Sequence, residues 1–297
     1  MQELFTQSPL AFIVVAFLFA LLIGSFLNVV IYRLPVMMQR QWHDQAKEIL
    51  EEPATDLPEG RFDLIAPRSR CQSCGHAIGA LQNIPVVSWL LLGGKCGNCK
   101  TPISARYPTI ELLTAILTAM VAWRFGFGYE AAAAALLTWM LVAISMIDVD
   151  HQLIPDSMSL PLIWIGLTLS LFHPMSGAQM LFVAPKLAIV GALAGYLTLW
   201  SIYQLFRLVT GKEGMGYGDF KLLAALGAWL GYQYLPLIIL LSAVVGAVTG
   251  IALIVTKQHE RSVPIPFGPY LAAAGWIALM FGPQIYDWYF GFWSGSA

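Results

Sequence analysis

The feature that most limits how this chain can fold is a series of long apolar segments. An α-helix needs about 20 apolar residues to cross the hydrocarbon core of a bilayer. Only 11% of the 297 residues are charged, against about 25% in soluble domains. The sequence therefore predicts an all-α polytopic membrane protein, embedded in the lipid bilayer by about eight transmembrane helices. These lie roughly at residues 9–32, 108–124, 130–147, 158–173, 182–206, 220–234, 236–256 and 266–282.

The distribution of Lys and Arg predicts the orientation of these helices. The polar segment 33–107 holds nine of the sixteen basic residues, and basic residues are enriched in cytoplasmic loops. With this segment in the cytoplasm, fourteen of the sixteen fall on the cytoplasmic side, and only Arg124 and Lys186 fall opposite. We therefore expect a first transmembrane helix at 9–32, a cytoplasmic domain at 33–107 and a transmembrane bundle at 108–282. The formal net charge of −1 argues against a nucleic-acid partner.

All four cysteines lie in the polar segment, as two Cys-x-x-Cys pairs. They are Cys71, Cys74, Cys96 and Cys99. Four thiolates suit tetrahedral Zn²⁺, and a reducing cytoplasm disfavours disulfides. The adjacent Gly75 and Gly97 allow backbone N–H groups to turn toward the sulfurs. The pattern predicts a structural zinc site, with an iron centre, a redox pair or no metal as the alternatives.

Two aspartates are predicted at the cytoplasmic edge of the membrane. Asp148 ends the third apolar segment and Asp219 begins the sixth. Charged residues at membrane depth are costly and are usually functional. Two carboxyl groups at one level of a bundle can share a proton and activate a water molecule, as in aspartic proteases.

Simpler interpretations of these acids stay open at this point. A single Asp at a helix end is more often interfacial than catalytic, and Asp156 or Ser157 can serve as the N-cap of the fourth helix. The glycine-rich run 214–218 can be a hinge, or an irregular backbone beside a water-lined cavity. A phosphate-binding loop is excluded by context, since the run has neither a preceding strand nor a Walker lysine.

Several motifs resemble those of type IV prepilin peptidases, in the same order along nearly the whole chain. Gly216-Tyr217-Gly218-Asp219 resembles the G-x-G-D signature of intramembrane aspartyl proteases. The other matching motifs are the run 214–222, Asp148 with Ile154-Pro155-Asp156, the run 24–35, Arg106-Tyr107-Pro108 with Glu111, and Pro266-Phe267-Gly268-Pro269. The cysteine pairs are similar to those of the larger, bifunctional members of the family.

This resemblance implies a multi-pass enzyme of the bacterial inner membrane, of the GxGD type, acting in type IV pilus biogenesis and type II secretion. It implies removal of the short basic leader of prepilins and pseudopilins at the cytoplasmic face. It also implies methylation of the new N-terminal amine with S-adenosylmethionine. Both termini are then expected in the periplasm.

Carried over residue by residue, the resemblance makes Asp148 and Asp219 the catalytic pair, supported by Gly216, Gly218, Pro266 and Gly268. Asp148 is preferred to Asp150 because the family's aspartate lies seven residues before the proline of its Ile-Pro pair, as Asp148 does before Pro155. No Rossmann fingerprint is present for the methyl donor. We expect its site in the cytoplasmic domain and nearby helix ends, including Glu111.

A proton-coupled transporter that uses Asp148 and Asp219 is the main alternative from another class. Transporter sites lie near the midplane of the membrane, whereas these aspartates are predicted at one face. The two halves of the chain also show no internal repeat. A membrane scaffold with a zinc domain is a third interpretation, and it leaves both acids unexplained.

The segment 37–65 matches no motif but has a distinctive charge pattern. Its acids outnumber its bases seven to two between Asp44 and Asp63, a local charge of −5. The acids are Asp44, Glu48, Glu51, Glu52, Asp56, Glu59 and Asp63. Apolar residues recur at helical spacing over 37–50, which predicts an amphipathic helix lying on the membrane. We interpret the acidic stretch as an attractor for a basic leader, with a solvated linker as the alternative.

Overall fold

A computed structural model describes residue 5 and residues 8–50, 61–173, 182–256 and 265–294. Over these ranges the chain is helical and forms no β-strand, only two isolated bridges. The helices are α1 Pro9–Leu50, α2 Val87–Leu91, α3 Arg106–Phe125, α4 Tyr129–His151, α5 Asp156–Ser170, α6 Pro185–Thr210, α7 Tyr217–Leu230, α8 Leu235–Val255 and α9 Gly268–Ser294, with 3₁₀ turns at Ala80–Asn83 and Tyr232–Tyr234. The chain divides into two compact units, Met1–Trp123 and Arg124–Ala297.

Each of the eight predicted apolar segments contains a helix, and five of the described helices are long and apolar enough to span a membrane. These five are Pro9–Ile49, Arg106–Phe125, Tyr129–His151, Pro185–Thr210 and Tyr232–Leu253. Helices α5 and α7 have 15 and 14 residues, so they are about 22 and 21 Å long. Both are shorter than a hydrocarbon core of about 30 Å. Helix α9 has 27 residues and is not among the five.

The first helix is longer than predicted. It runs for 42 residues from Pro9 to Leu50 instead of ending near residue 32. Pro35 lies inside it, where a proline removes one hydrogen bond and crowds the carbonyl four residues earlier. The helix continues because the residues that follow include good helix formers such as Met, Gln, Lys and Glu. The predicted helix at 37–50 is therefore the continuation of α1. Asp44 and Glu48 are exposed on it, while Glu51, Glu52, Asp56 and Glu59 lie outside the described residues.

In the first unit, polar side chains of the 24–35 motif fasten the unit's other segments to α1. Asn28 donates a hydrogen bond of 3.1 Å from Nδ2 to the carbonyl of Tyr107. The buried Arg33 donates to the carbonyls of Asp63 and Pro67, at 2.7 and 2.6 Å. The segment 63–67 is therefore held against α1 by one guanidinium group.

Gly24 explains how closely α1 and α3 pack. A Cβ atom built on Gly24 would lie 2.6 Å from Cα of Glu111. No real Cβ contact is that short, so a larger residue would separate the two helices. Small residues at such crossings are typical of membrane helices.

Helix α7 is the centre of the second unit. All its residues from Asp219 to Leu230 are buried except Lys221. Helices α5, α6 and α9 pack against it. Gly191 of α6 and Gly227 of α7 meet so closely that a side chain on either would overlap the other's carbonyl. The buried packing fixes the first turn of α7, which carries Asp219.

Candidate active site and metal centre

Asp148 lies buried in the last turn of α4, where its carboxylate meets the start of α9. It is 5% exposed, and Gly268 donates a backbone hydrogen bond of 3.0 Å to its Oδ2 atom. The first N–H groups of a helix have no intrahelical partner, and they favour a nearby negative charge. A Cβ atom on Gly268 would lie 2.6 Å from the same oxygen. Residue 268 must therefore be glycine for the carboxylate to sit here.

Asp219 lies in the first turn of α7 and is 7% exposed. Its Oδ1 atom has no hydrogen-bond partner among the residues that the structure describes, and its charge interacts with that of Asp148. Burying two interacting anions is unfavourable. The pair is therefore suited to carry one negative charge and one proton.

Ile154 fills the space between the two acidic segments. A Cβ atom on Gly218 would lie 2.6 Å from Ile154 Cβ, and one on Gly268 would lie 3.0 Å from Ile154 Cδ1. After α4 the chain reverses at Gln152, whose φ of 52° is left-handed. This turn places Ile154 against Gly218, which precedes Asp219, and against Gly268, which binds Asp148.

The other predicted residues of this region are placed as follows. Asp150 is exposed whereas Asp148 is buried, so Asp148 and not Asp150 shares the buried state of Asp219. Pro266 lies two residues before the start of α9. The alternative that Asp156 or Ser157 is the N-cap of α5 is wrong. The N-cap of α5 is Pro155, and the Asp156 carboxylate instead binds Lys221, with Nζ 2.6 Å from Oδ1 and 2.7 Å from Oδ2.

The four cysteine sulfurs come together in the first unit. Their Sγ atoms all lie within 4.8 Å of one another, and Cys71 Sγ lies 3.8 Å from Cys99 Sγ. Zn–S bonds of about 2.3 Å place tetrahedral sulfurs ~3.8 Å apart. A disulfide requires about 2.05 Å. The sulfurs thus fit a four-coordinate metal ion.

The two cysteine pairs have the same backbone hydrogen bonding. The N–H of Cys71 donates to His76 O at 2.9 Å, and the N–H of Cys96 donates to Thr101 O at 2.8 Å. Thr101 also contacts Cys99, whose Sγ lies 3.2 Å from the Thr101 hydroxyl. The side chain of Thr101, followed by its backbone, lowers the pKa of the Cys99 thiol to about 6. The thiolate that binds metal is therefore favoured at neutral pH.

Each pair is followed directly by one left-handed residue. Gly75 has a φ of 70° and Lys100 has a φ of 60°. Their N–H groups donate to the carbonyls of Cys71 and Cys96, at 2.9 and 3.1 Å. The N–H of Gly75 thus bonds to a carbonyl oxygen, whereas the sequence predicted backbone N–H groups turned toward the sulfurs. In the second pair the turn residue is Lys100 rather than Gly97.

Glu111 is buried inside the first unit, 8% exposed. Its Oε2 atom accepts a hydrogen bond of 2.7 Å from the N–H of Val86. Val86 has a φ of 59°, a strained conformation for a β-branched residue. The sequence offered no signal for this contact, because nothing in the local pattern around Val86 predicts a left-handed turn.

Comparisons with known proteins agree with the motif resemblance. Residues 18–125 match the profile described as Bacterial Peptidase A24 N-terminal domain, and residues 135–251 match the Type IV leader peptidase family. No solved structure gives a significant match.

Relatives named Prepilin leader peptidase/N-methyltransferase match almost end to end. The protein from Stutzerimonas stutzeri is 58% identical over 95% of each chain. The one from Aeromonas hydrophila is 54% identical over 97% of each chain. The one from Pseudomonas aeruginosa is 54% identical over 96% of this chain and 95% of its own. None of these three is named as a transporter, and the transporter alternative has no support. The predicted resemblance is confirmed, and the chain belongs to the type IV leader peptidase family.

Proposed function

We propose that the protein is a bifunctional enzyme that cleaves the leader from prepilins and pseudopilins and then N-methylates the new N-terminal residue. Relatives whose names carry both activities cover nearly the whole chain, which supports this proposal. We assign the enzyme to the bacterial inner membrane, with eight membrane-spanning segments. We assign residues 9–32 of α1 to the membrane, residues 33–107, including the rest of α1, to a cytoplasmic zinc domain, and residues 108–282 to the bundle. The Lys and Arg distribution supports catalysis at the cytoplasmic face, with both termini in the periplasm.

We assign cleavage to Asp148 and Asp219. The observation that carries this assignment is that both carboxyl groups are buried, at the end of α4 and the start of α7, and that Ile154 adjoins both Gly218, which precedes Asp219, and Gly268, which binds Asp148. Because the Gly268 N–H stabilises an anion on Asp148, the shared proton belongs on Asp219. The Asp148 carboxylate then takes a proton from water as the water attacks the scissile carbonyl. Asp219 donates its proton to the carbonyl oxygen. As the intermediate collapses, Asp148 gives the proton taken from water to the leaving amine, and Asp219 recovers a proton from the intermediate's hydroxyl group.

The glycines of the G-x-G-D and P-x-G-P motifs serve this chemistry by permitting close approach. Gly218 leaves room for Ile154, and Gly268 leaves room for the Asp148 carboxylate. Both carboxyl groups can therefore lie in one recess without a side chain between them and the neighbouring backbone.

We assign a structural zinc ion to the four cysteines. The spacing of their sulfurs supports a closed tetrahedral site, and such a site has no open position for a reacting group. The ion would tie together the segments around residues 71 and 96.

We place methylation, with S-adenosylmethionine as the methyl donor, in the cytoplasmic domain and its adjoining helix ends. The Glu111 carboxylate is engaged by the Val86 N–H, so it suits a structural role better than direct contact with the donor. The amine released by cleavage is the methyl acceptor, which makes the two reactions consecutive.

We interpret the acidic stretch between Asp44 and Asp63 as an attractor for the basic leader. The exposure of Asp44 and Glu48 on α1 supports this interpretation. An attraction between exposed charges is screened within a Debye length of about 8 Å at physiological ionic strength. KM for a basic-leader substrate should therefore rise with salt, whereas a simple linker would leave KM unchanged.

The test of the whole proposal is cleavage of a detergent-solubilised prepilin by the wild type and by Asp219→Ala. We expect the wild type to release the leader and the variant to release none. Cleavage by a folded Asp219→Ala protein at the wild-type rate would overturn the assignment.

A further inference from the structure

An ion pair joins the first residue of α5 to α7, the helix that carries Asp219. Lys221 Nζ lies 2.6 and 2.7 Å from the two carboxylate oxygens of Asp156. Lys221 follows Asp219 by two positions and begins the second turn of α7, and Asp156 is the first residue of α5. Both oxygens of one carboxylate therefore bind one ammonium group across 65 positions of sequence.

The position of Lys221 on α7 shows that it does not act on the scissile bond directly. Successive residues of an α-helix are rotated by about 100°, so Lys221 points roughly opposite to Asp219. Its ammonium group is also engaged by Asp156. The side chains of Lys221 and Asp156 are 24% and 55% exposed, at the outer surface of the site.

Two contacts therefore hold the segment 154–156 against the start of α7. One is the van der Waals contact of Ile154 with Gly218, and the other is the ion pair. Ile154 also adjoins Gly268, whose N–H binds Asp148. The segment 154–156 thus connects Gly218, which precedes Asp219, with Gly268, which binds Asp148.

We propose that the Asp156–Lys221 ion pair is a positioning element that sets the separation of Asp148 and Asp219. This inference rests on the catalytic pair assigned above. Because exposed ion pairs contribute little to global stability, losing the pair should alter the alignment of the acids more than the folding of the protein. A displacement of 1 Å at a reacting centre costs on the order of 10²-fold in rate.

The experiment measures kcat and KM for prepilin cleavage by the wild type, Lys221→Met, Asp156→Asn and the exchanged variant Asp156→Lys/Lys221→Asp. We expect each single variant to lose about ten- to a hundredfold in kcat, with KM nearly unchanged. The exchanged variant should recover a large part of the loss, and Lys221→Arg should stay near wild type. Lys212→Met is the matched control, because Lys212 is an exposed lysine of the loop before α7.

Thermal unfolding and zinc content of each variant would establish that it is folded. Single variants that are folded and as active as the Lys212→Met control would overturn the inference. A folded exchanged variant whose kcat is no higher than that of the less active single variant would also overturn the inference. Asp219→Asn is assayed alongside: if it still cleaves, the assigned catalytic pair is wrong. If it is inactive while Lys221→Met is fully active, only the role of the ion pair is wrong.

Discussion

The backbone N–H of Gly268 donates a hydrogen bond of 3.0 Å to Oδ2 of Asp148, a residue 120 positions earlier in the chain. This contact gives the 266–269 motif a physical explanation, since a Cβ atom at residue 268 would collide with that oxygen. The start of α9 therefore holds one acidic side chain, while the start of α7 carries the other.

The paired carboxyl groups predict a strict requirement for both. Asp148→Asn and Asp219→Asn should each reduce kcat for prepilin cleavage by about 10²–10⁴-fold, because either change removes a proton donor or acceptor. Asp150→Asn is the matched control and should keep most activity, since Asp150 is exposed. A dead Asp150 variant beside an active Asp148 variant would show that the wrong aspartate has been assigned.

The two glycines before Asp219 should respond differently to the same substitution. A Cβ atom on Gly218 would lie 2.6 Å from Ile154 Cβ, whereas one on Gly216 would lie 3.7 Å from its nearest neighbour, Asp219 Oδ2. We expect Gly218→Ala to lower kcat by about tenfold or more, because the substitution would misalign Asp219. We expect the kcat of Gly216→Ala to stay within a fewfold of wild type. Equal activities in a peptide-cleavage assay would contradict the packing described here.

The cysteine cluster predicts one bound zinc ion per chain. A variant with all four cysteines changed to serine should carry no zinc by elemental analysis. Because binding of a structural metal contributes to folding, the segment 66–105 of that variant should also become sensitive to protease. A zinc-free preparation of the wild type with all four thiols reduced would exclude the site.

Backbone conformation in the first cysteine pair can be tested without changing a ligand. Gly75 and Gly79 both have open space where a side chain would go, but only Gly75 has a positive φ, 70°. Gly75→Ala should cost about 1 kcal/mol through left-handed strain, a roughly fivefold loss of zinc affinity. Competition with a chromophoric chelator measures this, and Gly79→Ala should match wild type. Weaker binding in both variants would point to a cause other than φ.

Methylation should follow cleavage. As the pH is lowered, the rate of methylation should fall before the rate of cleavage does. The new α-amino group has a pKa of about 8, and only its neutral form can accept a methyl group. Below that pKa the reactive fraction falls about tenfold per pH unit, so the methylation rate of a pre-cut peptide should decline with it. Parallel assays of cleavage and methylation between pH 8 and 6 would show this. Identical pH profiles for the two reactions would contradict it.

The sequence predicted the helical segments well because apolar length alone decides them, and each of the eight contains a helix. It could not predict where α1 ends, because a proline inside a run of good helix formers interrupts one hydrogen bond without stopping the helix. The clustering of the four sulfurs followed from the spacing of the cysteines. The left-handed turn at Lys100 could not be predicted from that spacing, since lysine rarely adopts a left-handed conformation.

The sequence also did not predict which residues from distant parts of the chain contact each other. Asp156 at a helix start resembles a cap, and only the packing of α5 against α7 shows that its partner is Lys221. In the same way, the hydrogen bond from Val86 to Glu111 depends on an unusual backbone angle. Local patterns can identify residues that are chemically able to act, whereas their partners are set by tertiary structure.

The shortness of α7 has a consequence for how water reaches a peptide bond at the level of the membrane. A helix of 14 residues covers about 21 Å, so about 9 Å of a typical hydrocarbon core lies beyond its ends. Neighbouring helices enclose α7, and it can therefore be short without exposing its backbone to lipid. The exposed residues Lys212 and Glu213 lie just before its first turn. With that end at the cytoplasmic face, as proposed above, water would reach Asp219 without crossing the hydrocarbon core.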